Sequence, residues 1–349
     1  MRDASGPDFD SPRHDADDPR MRCGRTPGGL WALVALMMLA PGSPPVFAKE
    51  VPGLVEGRGL ANASAVVRIG PDRILAGSDD QNALVLLDAR TGGAPLKILP
   101  AGPWLGLGAR DGEADLEGAA RIGDVVYWIG SHARNKNGKL RPERQRLLAL
   151  RIAGEEGDLS LTPVGRPVAT LLDSLATAPS LASLRLGAAA ALPPEDPGGL
   201  NIEGLAARPD GGLWLGFRSP VPGGRALLVP LLNPGEVVTG VAPRWGDPVT
   251  LDLEGKGIRD ITWTGREYFL LGGNAADGGR TRLFRWQGPG SQPEPVKAPG
   301  LKDLNAEGLA VFGTPEQPRL LVVSDDGNRS DNEQQPPAER TFRMLWVTP

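Results

Sequence analysis

Acidic residues recur at one place in a unit that this chain repeats. Asp115-Leu116-Glu117-Gly118-Ala119-Ala120, Asn201-Ile202-Glu203-Gly204-Leu205-Ala206 and Asn305-Ala306-Glu307-Gly308-Leu309-Ala310 are near copies. Asn62-Ala63-Ser64-Ala65-Val66-Val67 and Gly257-Ile258-Arg259-Asp260-Ile261-Thr262 are looser ones. Glu117, Glu203, Asp260 and Glu307 are read as the acids of the motif, with Ser64 in the first copy. Carboxylates brought to one axis can share a hard cation such as calcium, or hold protons for general acid and base work.

Two scarcities narrow the chemistry further. The chain has one cysteine, Cys23, and two histidines, His14 and His132. Arg22 and Arg25 precede the apolar run Leu30 to Ala40, which is followed by Pro41, Pro44, Pro45 and Val46-Phe47-Ala48. That layout is a secretory signal over residues 21–48, with cleavage expected after Ala48 and delivery to the periplasm or beyond. The run is shorter than the roughly 20 residues of a membrane span, so no span is expected after cleavage. Residues 1–20 are polar and Asp-rich, and read as disordered or as a mis-assigned start ahead of Met21. Cleavage removes Cys23 and His14. Disulfides, Cys-ligated zinc and multi-histidine metal sites are then excluded.

The net charge of −4 comes without a basic stripe or an aromatic platform, so nucleic acid is not an expected partner. A monomer is expected, with a small-molecule or anionic ligand.

What must position the acids is a repeat of short strands. The chain holds 48 Gly and 35 Pro among short apolar runs, an all-β texture. In the first unit Ala65 to Ile69, Arg73 to Gly77, Leu84 to Asp88 and Leu96 to Leu99 read as four strands separated by turn residues. Repeats near 50 residues, each of four strands, predict a single β-propeller domain over residues 49–349. Five blades are expected, with six as the alternative. The last unit runs out after three strands, and the segment around Val51 to Val55 is expected to supply the fourth and close the ring. Val168 to Leu186 is expected to form one or two short helices broken by Pro179.

In an antiparallel blade the start of the first strand and the end of the second lie on one face. The strand starts place Glu117, Glu203, Asp260 and Glu307 around the channel mouth. The strand ends add His132, Arg134 and Lys136, then Arg218, Asn274 and Asp325. Like charges ~6 Å apart at an effective dielectric of about 20 repel by a few kcal/mol per pair. A bound cation, raised pKa values, pairing with Arg134, Arg218 or Arg259, or amide donors from the next blade are the four ways to offset this.

The run from Asp115-Leu116-Glu117-Gly118 through Gly130-Ser131-His132-Ala133-Arg134-Asn135, with the later Glu203, Asp260 and Glu307 motifs, resembles a bacterial family known as domain of unknown function 3616, over about residues 60–347. More distantly, the Glu-Gly strand starts are similar to phytase-like esterase and calcium-dependent lactonase propellers, in which mouth acids hold a metal ion. That resemblance implies calcium held by Glu117, Glu203, Asp260 and Glu307, and departs from those folds at Ser64. On this reading the protein is a metal-assisted hydrolase of ester, lactone or phosphoester bonds with no organic cofactor. Glu203 or His132 handles the proton, while Arg134, Lys136, Arg218, Asn274 and Asp325 hold substrate. The alternative is a non-enzymatic propeller that binds a ligand or protein on the same face.

Overall fold

The computed structural model describes residues 53–154, 158–276, 278–329, 332 and 334–349. The signal segment, the alternative start at Met21 and the residues Val51 and Pro52 lie outside the described residues. Five four-stranded antiparallel sheets form a five-bladed β-propeller. Their innermost strands are Ala63–Arg68, Leu116–Ile122, Asn201–Ala207, Gly257–Trp263 and Ala306–Thr314. The fifth sheet is completed from the other end of the chain. Leu54–Arg58 pairs antiparallel with Thr341–Val347, so the ring closes as the sequence predicts.

Apolar alternation along the strands gives five seams, each joining neighbouring blades. Trp128 from the second blade is fully buried against the first, where a Cβ on Gly77 would stand 3.0 Å from its ring. Trp214, Tyr268 and Trp286 fill the seam between the third and fourth blades, and Trp214 Nε1 donates to the Tyr268 hydroxyl at 3.2 Å. The predicted helical insertion is present as a helix Leu171–Thr177, a 3-10 segment Pro179–Leu184 and a short turn Leu186–Ala189. Its leucines pack into the seam between the second and third blades. Among the described residues no helix is long and apolar enough to cross a membrane.

One irregularity repeats in all five blades and sets up the site. Between first and second strands the ladder slips by one residue. Such a bulge leaves one residue unpaired and re-aims its side chain. The skipped residues are Ser64, Glu117, Glu203, Arg259 and Glu307. In the fourth blade Ile258 faces Gly272 and Asp260 faces Leu271, so the bulged residue is Arg259, not Asp260. Asp260 instead holds the place that Gly118, Gly204 and Gly308 hold elsewhere. Backbone crowds that place: a Cβ on Gly118 would stand 2.8 Å from the Glu203 carbonyl oxygen, and one on Gly308 2.9 Å from that of Ser64.

Candidate functional site

The bulges bring Ser64, Glu117, Glu203, Arg259 and Glu307 to one cavity of about 520 Å3, whose wall also includes Asp79, Arg218 and Asp325. A second cavity of about 410 Å3 shares Asp79, Glu117 and Arg218 with the first. It adds Asp115, Lys136, Arg144 and Asn201. The mouth is therefore one polar depression with two lobes. Glu117, Glu203, Glu307, Arg218 and Asp325 stand together in the first lobe as the sequence predicts, and Lys136 reaches the second.

The acids at the mouth fall into two sets. Glu203 and Glu307 have arginine partners. Arg218 Nη1 donates to Glu203 Oε1 at 3.0 Å, and Asn201 Nδ2 donates to the same oxygen at 2.8 Å. Arg259 pairs with Glu307, and its Nε stands 3.7 Å from Glu203 Oε2. Arginine thus offsets much of the expected repulsion.

Asp79 and Glu117 have no such ion pair among the described residues. Burial pushes Glu117 well above the usual carboxylate range, and Glu203, Asp115 and Asp79 add to this, with Arg218 opposing. Burial also pushes Asp79 well up, reinforced by Asp115, Asp325 and Asp80. Asp115 is raised to about 6 by burial, although Arg144 and the Ser131 hydroxyl oppose it. Neighbouring carboxyl groups with such unlike environments are a common arrangement for proton chemistry and for binding cations.

Four predicted residues lie elsewhere. Asp260 is 1% exposed and turned to backbone: Oδ2 accepts from the Leu309 amide of the fifth blade at 2.7 Å, and Oδ1 from its neighbour Ile261 at 2.8 Å. The amide of Leu205 in the third blade also hydrogen-bonds to it. The acid joins three blades, so it is not a mouth ligand. His132 is buried rather than loop-exposed, with Nδ1 2.8 Å from the Gly130 carbonyl oxygen. It lines neither lobe. Arg134 donates to the carbonyls of Ala190 and Gly138, each at 3.0 Å, and so ties its loop to the helical insertion. Asn274 meets the site only through its backbone carbonyl, which accepts from Arg218 Nε at 3.0 Å.

The four acids expected to hold calcium do not fit a shared ion. Two are engaged by arginine and one by amides, which leaves Glu117. Among the described residues no group of three or more His, Cys, Asp or Glu side chains is set to hold a metal ion.

Sequence reasoning assigns no role to Asp79, Asp115 or Asn201. Asp79 carries a signal at a strand end of the same face, since Ser78-Asp79-Asp80 repeats as Ser324-Asp325-Asp326. Asp115 and His132 both take positive φ, at 54° and 57°, and the Ser131 amide donates to the Asp115 carbonyl at 2.9 Å. Non-glycine residues in this region cost about 1–3 kcal/mol each and cluster at functional sites. Nothing in their residue types announces it.

Burial lowers the pKa of His132 from 6.5 to about 4, with Arg146 adding and the Gly130 hydrogen bond opposing. The unfolded chain takes a proton near 6.5 while the folded chain resists until about 4. Stability attributable to this residue is therefore present above 6.5 and lost as pH falls towards 4, by about 3 kcal/mol. His132→Asn, which tolerates positive φ, is expected to flatten that decline in urea melts between pH 7 and 4. An unchanged slope would show that His132 titrates normally.

The family model described as Protein of unknown function (DUF3616) matches residues 165–338, in support of the resemblance drawn from the motifs. No curated protein sequence matches the chain. Among solved structures, the major Malassezia sympodialis allergen Mala s 1 is similar at a TM-score of 0.51 and 9% identity, over 85% of this chain and 96% of that one. The PQQ-bound aldose sugar dehydrogenase of Streptomyces coelicolor is similar at 0.42 and 13%, over 85% and 100% of the two chains. Myxococcus xanthus glutaminyl cyclase gives 0.43 and 10%, over 86% and 97%. At these identities the likeness is one of fold alone.

Proposed function

We propose that this propeller is a binding protein whose two-lobed mouth takes a small molecule bearing a protonated amine and further N–H or O–H donors. One observation carries the reading. Asp79 Oδ1, Glu203 Oε2 and Asn201 Oδ1 are buried acceptors with no hydrogen-bond donor among the described residues, and all three residues line the mouth. Buried polar atoms are nearly always satisfied, so a set of orphaned acceptors on residues that line one mouth calls for a donor-rich partner. An ammonium beside Asp79 and Glu117 would favour their charged forms, so binding would release protons.

Glucosamine, spermidine, glucose and calcium chloride are suitable probes. Calorimetry in phosphate and Tris buffers is expected to show an amine binding with proton release, weakened at least tenfold in Asn201→Ala. Calcium binding with no response to either amine would overturn the proposal in favour of a metal site. So would an amine affinity that Asn201→Ala leaves intact.

A second reading, hydrolysis by carboxyl groups, is favoured by Glu117, which burial raises well above the usual carboxylate range, beside the arginine-paired Glu203. Turnover of p-nitrophenyl acetate or phosphate that is lost in Glu117→Gln would establish it.

A further inference from the structure

The channel has a second mouth, at the opposite ends of the inner strands, and its chemistry differs. A cavity of about 480 Å3 opens there, lined largely by small and apolar residues that include Val66, Ala119, Leu205 and Leu309. Arg68 and Arg121, the charged side chains in its wall, come from adjacent blades. Neither makes an ion pair among the described residues. Arg68 Nε donates to the Gly70 carbonyl at 2.8 Å, and its guanidinium lies 5.0 Å from the centre of the Phe312 ring. Arg121 donates to the carbonyls of Gly123 and Ile69, at 2.8 and 3.2 Å.

Asp72 is the acid that acts on Arg68, and it stands 3.7 Å from Arg90. Burial and the neighbouring Arg121 lower the pKa of Arg68, the expected sign for two like charges held together. In the third blade the equivalent residue is Ala207, and the next one, Arg208, is matched by Asp210 at 2.6 Å. So the first two blades place positive charge, with no ion pair among the described residues, at the rim of an apolar cavity.

We propose that this mouth binds an apolar carboxylate, with its anionic head between Arg68 and Arg121 and its hydrocarbon body in the channel. A guanidinium pair suits a carboxylate because each planar fork can donate two parallel hydrogen bonds. The volume lies within the range of small-molecule pockets, roughly 300–1,000 Å3, which are mostly apolar with a few placed polar groups. This site needs neither the acids of the first mouth nor their ligand, so the two proposals stand or fall separately.

Octanoate, octanol and octylamine, titrated into the full-length protein and followed by calorimetry, test it. Octanoate is expected to bind at least tenfold more tightly than octanol, with octylamine weakest. Arg121→Gln, at an exposed position, is expected to weaken octanoate at least fivefold while the melting temperature stays put, and Arg68→Gln with Arg121→Gln to abolish binding. Arg151→Gln, which removes a surface partner of Asp124, serves as the control for general loss of positive charge. Equal affinity for octanoate and octanol, or equal losses in Arg121→Gln and Arg151→Gln, would overturn the proposal.

Discussion

Asp260→Ala is expected to destabilise the fold by about 2–5 kcal/mol, more than any substitution at the mouth itself. The carboxyl group accepts amide hydrogen bonds from Leu309 and Ile261, and a third from Leu205. Alanine leaves buried N–H donors with no acceptor, and each such group costs about 1–3 kcal/mol. Asp260→Gly separates this role from simple space filling, because glycine is what the second, third and fifth blades carry at this place. It is expected to lose as much as alanine. Asp260→Asn keeps one acceptor oxygen but turns an amino group towards an amide donor, so an intermediate loss is expected. Urea denaturation followed by circular dichroism measures all three. A loss below about 0.5 kcal/mol for alanine would remove Asp260 from the frame of the ring. A mouth ligand would behave in the opposite sense, since replacing a strained binding-site acid commonly stabilises a protein.

The blades were legible because they rest on local signals. Alternating apolar residues, turn residues such as Thr91-Gly92-Gly93, and a motif recurring in each unit all act within a few residues of chain. Closure through Leu54–Arg58 followed from counting strands in the last unit. The error in the fourth blade came from aligning by charge. Placing Asp260 over Glu203 matched acid to acid, whereas Ile258 over Ile202 and Ile261 over Leu205 put Arg259 over Glu203 and Asp260 over Gly204. The apolar spacing carried the register, because a bulge is fixed by the ladder and not by the charge of the residue it expels. The consequence is chemical: an arginine in the ring converts a four-acid metal cage into ion pairs. His132 misled for a related reason. A polar run of the type Ser-His-Ala-Arg-Asn reads as an exposed loop, yet tertiary packing buries its first half, and no local pattern marks that.

The joint substitution Asp79→Asn with Glu117→Gln is expected to stabilise the protein by about 1–2 kcal/mol near pH 8 while weakening amine binding. Both carboxyl groups are raised well above their ordinary range, chiefly by burial and then by neighbouring acids. A carboxyl group with a raised folded pKa holds its proton in the native state after the unfolded chain has released it. Between the two pKa values the native state binds more protons, so stability falls as pH rises. For Asp115 that window runs from 3.8 to about 6, and for Asp79 and Glu117 it opens in the same ordinary carboxylate range and extends upward. His132 contributes in the opposite direction between about 4 and 6.5, so the wild-type profile alone is ambiguous. The difference between wild type and the double variant cancels His132 and isolates the pair. That difference should be smallest at pH 4 and grow as pH rises above the ordinary carboxylate range. A flat difference would mean that both acids are ordinary surface carboxylates. A difference of opposite sign would mean that they stabilise the native state as anions and already have cationic partners of their own. The expected rise instead describes a protein that holds two uncompensated acids at its mouth at a cost to its own stability, which a cationic ligand would relieve.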